Sequence, residues 1–308
     1  MRRCAISVDL DEIYNYAQIH GLKPGEFTSQ AVYDVALARL DEWSAKHGIR
    51  LTLFAVARDL ERPEAADTLR RLAAKGHEIA NHSLDHYYDL TRRPLEQMRE
   101  QVWGAADLIE RTTGQRPVGF RAPGYVTTDA LYQVLGERDL AYSSSVFPCP
   151  WYYGAKAGAI GLKAALGNFS KSLIDDPRVL TAPTKPYRVG RPYWKASTAS
   201  GSGILELPIQ VTPGARLPFI GTSLVALGPS ASGKLARSLL GQELINLELH
   251  GIDVLDRTDG LHELARHQPD LRIALERKLA TLDCVVYTLS EAGYSFCTLA
   301  QAAQEMSV

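Results

Sequence analysis

Apolar runs with strand chemistry alternate along the chain with segments whose apolar residues recur at helical spacing. That is the pattern of a β/α repeat built around a parallel sheet. Residues 4–10 read as a first strand, 50–56 as a second and 77–81 as a short third. Further strand segments lie at 118–122, 142–145, 204–211, 244–249 and 295–299. Between them, 29–46 is predicted to be helical: Val32, Val35, Ala36, Leu40 and Trp43 share one face, and Gly48 closes the run. Residues 62–75 and 94–113 are predicted helices stopped by Gly76 and Gly114, and 128–137 is a shorter one. A long helix over 270–292 carries Leu271, Leu275, Leu279 and Leu282 on one side, and a short helix ends the chain. The rhythm breaks over 148–203, which is rich in Pro, Gly, Tyr and Lys, with one helix expected around 153–174. Roughly seven or eight strands suit one β/α barrel or a doubly wound sheet better than two domains. The chain, 1–308, therefore reads as a single α/β domain with an insertion at about 148–203.

Composition narrows the classes. The 308 residues are 45% hydrophobic and 22% charged with a net charge of -1, which excludes disorder, collagen-like repeats and coiled coil. A pI near 6.7 leaves no electrostatic footprint for nucleic acid. Cys4, Cys149, Cys284 and Cys297 are scattered without a CxxC and read as reduced thiols of a cytoplasmic protein. The start runs straight into a strand rather than a signal peptide, and no window approaches the roughly 20 apolar residues of a membrane span.

Candidate chemistry sits just after strands, where barrels place their active-site loops. Asp9-Leu10-Asp11 ends the first strand, and in extended chain i and i+2 point the same way, so both carboxylates can face one pocket. The bland alternative is a strand-end turn with capping acids. Asn81-His82-Ser83-Leu84-Asp85-His86 follows the third strand; its two histidines, at i and i+4, would share one face of a helical turn. With Asp11 they would form a two-His, one-carboxylate set with open positions, suited to Zn²⁺ or another divalent cation. Arg121, in Gly119-Phe120-Arg121-Ala122-Pro123-Gly124-Tyr125, is placed to hold a carboxylate, or to make a structural salt bridge. Ile245-Asn246-Leu247-Glu248-Leu249-His250-Gly251 is an alternating strand that ends in a histidine, which taken alone reads as a core or loop residue.

Taken in order, VDLD, NHSLDH, FRAPGY and LELHG resemble the motif series of the polysaccharide deacetylase (NodB homology) family. The D-x-D form is similar to the branch with lipid-linked aminoarabinose deformylase. The resemblance implies a distorted (β/α)7 barrel, one divalent metal (Zn first, with Co, Ni or Fe as alternatives) and hydrolysis of an N-acyl group, acetyl or formyl, on an amino sugar. It implies that Asp11, His82 and His86 bind the metal, that Asp9 is the general base, that Arg121 orients Asp9, and that His250 protonates the departing amine. A backbone N–H at Gly124 or Tyr125 is the implied oxyanion contact, although Gly124 stands where the family usually has its aromatic. The aspartate that commonly supports the acid histidine is not evident, and Glu206 and Asp253 are the candidates to replace it.

Two motif look-alikes are rejected. Gly228 to Lys234 mimics a phosphate loop but is followed by Leu235, and His262 and His267 are one residue too far apart for a helical metal pair. Within 152–174, Tyr152, Tyr153, Ile160, Leu162, Leu166, Phe169 and Leu173 interleave with Lys156, Lys163 and Lys171. That composition suits peripheral contact with an anionic membrane face or a lipid-linked substrate, or else a lid over the barrel mouth. The expectation is an intracellular hydrolase acting on an N-acylated sugar. The alternatives are a cyclic amide or ureide hydrolase and a non-catalytic carbohydrate- or lipid-binding barrel.

Overall fold

All but the first residue of β1 (Arg3–Asp9) are buried, so both faces of this strand are covered, as a central parallel strand requires. The computed structural model describes residues 2–138, 140–165, 176–199, 201 and 203–306. In it β1 is flanked on one side by β8 (Leu244–His250) and on the other by β2 (Thr52–Ala55), with β9 (Ser295–Cys297) beside its first residues. The sheet continues through β3 (Glu78–Asn81), β4 (Gly119–Phe120), β5 (Tyr142–Ser143) and β7 (Leu205–Glu206) to β6 (Tyr187–Arg188), which alone runs antiparallel to its neighbour.

The join between β7 and β8 is made by the residues that follow β7. Gln210 N–H donates to Asn246 O at 3.1 Å, while Asn246 Nδ2 reaches Leu207 O and Ser144 Oγ, both at 2.9 Å. Strands β1 to β5, β7 and β8 thus form a distorted (β/α)7 barrel, as the motif resemblance implied. The largest core cluster lies between β1, β2, β8 and their covering helices, with Ile6, Val8, Leu53 and Leu247 at its centre.

Most strand and helix positions follow the hydrophobic pattern, with informative departures. The segments 29–46 and 94–113 each contain one widened π turn, at Val32–Ala36 and Glu100–Gly104. Glu12, buried, accepts hydrogen bonds from Ile13, Val32 and Tyr33 N–H, so it ties the loop after β1 to the first of these turns. The helix expected at 153–174 begins earlier and is described over Pro150–Ala165; 166–175 lie outside the described residues. The stretch that mimics a phosphate loop opens a helix, Pro229–Arg237, in which Ser232 Oγ donates to Leu224 O. Among the described residues no helix is long and apolar enough to cross a membrane.

Candidate active site

The barrel brings Asp9, Asp11, His82, Arg121 and His250 to one end, because each stands at or just after the C-terminal end of its strand. His82 and His86 do not lie on a helical turn. Ser83 and His86 adopt left-handed backbone, φ 69° and 52°. Asn81 Oδ1 accepts from Ser83 N–H at 2.8 Å, and Ser83 Oγ accepts from His86 N–H at 3.1 Å, so side chains hold a conformation that costs a non-glycine residue about 1 kcal/mol or more. The turn aims both Nε2 atoms at one carboxylate oxygen: Asp11 Oδ1 lies 3.2 Å from His82 Nε2 and 3.1 Å from His86 Nε2.

This trio fits a metal ion. His82 Nδ1 sits 2.9 Å from Arg121 O, a carbonyl that can only accept, so Nδ1 carries the proton and Nε2 presents its lone pair. Both nitrogens of His86 and Asp11 Oδ1 are buried without a hydrogen-bond partner. Ligand atoms roughly 3.3 Å apart are what bonds of about 2 Å to one tetrahedral ion produce. Burial alone would raise the Asp11 carboxyl, but the two imidazoles overcome it and hold its pKa well below the usual range.

Asp9 is organised differently. Arg121, fully buried, donates from Nη1 to Asp9 Oδ1 at 2.6 Å and from Nη2 to Ser7 Oγ and Ser144 Oγ, both at 2.9 Å. Its Nε donates to Ser144 O at 2.8 Å, and the guanidinium stacks over Phe54 at 4.1 Å from the ring centroid. Asp9 Oδ2 is left facing His82 Nε2 at 3.7 Å.

The partner of His250 is neither residue expected. Glu206 accepts from Tyr132 Oη and from the N–H groups of Ser145 and Val146, stapling β5 to β7. Asp253 accepts from the backbone N–H of His250 at 2.9 Å, and its own N–H meets the His250 side chain, so its carboxylate caps the following turn. The ring is held by Glu248, itself fully buried, whose Oε1 lies 2.9 Å from His250 Nδ1. Glu248 is two residues before His250 on β8, so strand alternation alone puts them on one face; the signal was present in LELH. Burial works against the imidazolium, yet Glu248, with Asp9 and Asp11 behind it, raises the His250 pKa well above its ordinary value.

The expected main-chain contact at Tyr125 is also revised, because its N–H donates to Ala122 O at 3.0 Å. Gly124 lies at the cavity wall, and its carbonyl accepts from Lys156 Nζ at 3.2 Å. The cavity over these groups measures about 350 Å³, and Tyr16, Tyr88, Tyr125 and Tyr152 contribute to its wall. The helix Pro150–Ala165 supplies Tyr152 and Lys156 to it, while Tyr153 is buried in the core. These two tyrosines of the membrane-face reading thus turn inward, whereas Leu166, Phe169, Lys171 and Leu173 lie outside the described residues.

A model of the family described as polysaccharide deacetylase matches residues 32–143, a span that holds His82, His86 and Arg121. No curated protein matches the chain. Among solved structures, a probable polysaccharide deacetylase from Pseudomonas aeruginosa PAO1 aligns with a TM-score of 0.61 at 15% identity, covering 98% of this chain and 89% of that one. A putative polysaccharide deacetylase from Mycobacterium smegmatis gives 0.59 at 15% identity over 99% and 90%. A family 4 acetyl xylan esterase from Clostridium thermocellum, in complex with a cobalt ion, gives 0.52 at 16% identity over 100% and 93%. At such identities the structures speak for a shared fold. The family match thus concerns the 32–143 segment, and the fold is shared with these structures over almost the whole chain.

Proposed function

We propose that this protein is a metal-dependent hydrolase that removes a small N-acyl group, acetyl or formyl, from an amino sugar. The observation that carries the reading is the convergence of three differently equipped groups on one cavity: the Asp11, His82 and His86 trio, the Asp9–Arg121 pair and the Glu248–His250 pair. Asp11, His82 and His86 would hold the ion, which when bound would supply Lewis acidity toward the acyl oxygen. Zn²⁺ suits the N2O donor set best, with Co, Ni or Fe as substitutes; the xylan esterase neighbour carries cobalt.

The chain's own residues divide the remaining work. Asp9, held through one oxygen by Arg121, keeps the other directed at the site and takes the proton of the attacking water. His250, held in its charged form by Glu248, returns a proton to the amine as the C–N bond breaks. The cavity volume lies at the small end of ligand sites, which favours one sugar ring with its acyl group over several rings. We place the reaction in the cytoplasm, on a free or lipid-linked precursor, as part of the same proposal. The D-x-D pair, Asp9 and Asp11, inclines it toward the deformylase-like branch.

Elemental analysis of purified protein, followed by a screen of N-acetyl and N-formyl sugars, tests the reading. About one ion per chain in wild type, lost in His82→Ala together with turnover, is the expected result. Metal-free wild type, even after reconstitution with each of the four metals, would overturn it.

A further inference from the structure

The turn Pro123–Tyr125 places two successive residues in left-handed backbone, Gly124 at φ 62° and Tyr125 at φ 61°. For a tyrosine this conformation persists only where the surroundings enforce it. Two contacts do so. The Tyr125 N–H donates to Ala122 O at 3.0 Å, and the ring is wedged edge-on between Phe147 and Tyr152, with centroids 5.6 and 5.7 Å away. The outcome is an exchange of roles between main chain and side chain. The N–H is consumed inside the turn, while the phenol enters the cavity wall with Oη 3.4 Å from His250 Nε2. Burial, reinforced by the Glu248 and Asp9 carboxylates, pushes the phenol pKa well above its ordinary value, so the hydroxyl keeps its proton.

We infer that Tyr125 acts through its hydroxyl as the group in contact with the departing nitrogen, with His250 behind it as the source of the proton. The inference rests on the hydrolase reading above. His250 has Nδ1 against Glu248, so the Nε2 proton points at Tyr125 Oη, while the hydroxyl, which also meets the Glu248 carboxylate, gives up its own proton once it turns toward bound substrate. The transfer balances. As the C–N bond breaks, its electron pair passes to nitrogen, which takes the Oη proton; Oη takes the Nε2 proton, leaving neutral His250. The proton Asp9 removed from water restores His250 through solvent. A 3.4 Å spacing is long for a hydrogen bond, as catalytic contacts without substrate commonly are.

The test compares Tyr125→Phe, His250→Asn and the double variant on two acyl donors. N-acetylglucosamine or its N-formyl analogue releases an amine that must be protonated; 4-nitrophenyl acetate releases an anion that need not be. The relay predicts that Tyr125→Phe lowers amide kcat by about 100-fold. The ester rate should fall by no more than about threefold, and metal content should be unchanged. His250→Asn should show the same selectivity with Tyr125 in place, and the double variant should be no worse than the poorer single one, because the two groups serve one step. Unchanged amide turnover in Tyr125→Phe would overturn the relay, as would an equal loss on both donors or multiplied losses in the double variant. Absence of amide turnover in wild type would instead defeat the hydrolase reading, and the relay with it.

Discussion

The two halves of the site are built on different principles. The half proposed to hold the metal gathers Asp11, His82 and His86 from two loops, and its orientation comes from main chain and neighbours: the Arg121 carbonyl on His82, and the Asn81 and Ser83 side chains under His86. Its side chains are almost wholly buried. The half proposed to supply the acid is one strand, with Glu248 and His250 two residues apart and the histidine side chain 19% exposed. A ligand set can be fixed by a rigid cage, whereas a group that gives up a proton needs a neighbour that tunes it and a route to solvent. Arg121 stands between them: bonded to Asp9, it also lies close enough to Glu248 to help keep that carboxyl ionised.

The largest effect should follow from removing that shared guanidinium. Arg121→Met strands Asp9 as an unpaired buried charge, which costs about 3–5 kcal/mol. Thermal melting should drop by about 10 °C and turnover should vanish. An unchanged Tm would mean that the two halves stand independently.

Next is Glu248→Gln, aimed at the acid half alone. Without the carboxylate, burial prevails and the His250 pKa falls. Since the acid works only while protonated, the alkaline limb of the pH–rate profile for amide should move to lower pH, with metal content intact. A limb that stays in place would assign it to another group.

The smallest effect concerns the scaffold at the other end of β3, and serves as a control. His77 Nδ1 accepts from Leu51 N–H at 3.0 Å, and burial lowers its pKa, so the folded state favours neutral imidazole. A depressed pKa means this stability is present above the unfolded value, near 6.5, and lost as pH falls below it. His77→Gln should therefore flatten Tm between pH 7 and 5 by a few degrees at most. No change in that slope would place the acid sensitivity in the site itself.

Much of this architecture was legible in the chain. β1, β2 and β3 lie within two residues of their apolar runs because parallel strands buried on both faces leave continuous hydrophobic segments. The helices Gly221–Leu227 and Pro229–Arg237 were hidden by their glycines, which here serve close packing. A Cβ on Gly221 would stand 2.0 Å from Asp253 Oδ2, and one on Gly233 3.0 Å from Cys284 Sγ. The acidic and imidazole members of the site were visible as residue types at strand ends. Their internal bonding was less so: HxxxH spacing suggested a helical turn where left-handed residues do the same work, and no short-range signal marks Tyr125 Oη beside His250.

The pairing of β1 with β8 joins an early strand to a late one, Asp9 opposite His250. During synthesis, Asp9, Asp11, His82, His86 and Arg121 all emerge well before the strand that carries His250. On the proposed roles, a nascent chain lacking β8 already carries Asp11, His82, His86 and Tyr125 but neither Glu248 nor His250, while one edge of β1 waits uncovered. With those roles, the proton source arrives with the last barrel strand, so a chain truncated before β8 is expected to show no turnover.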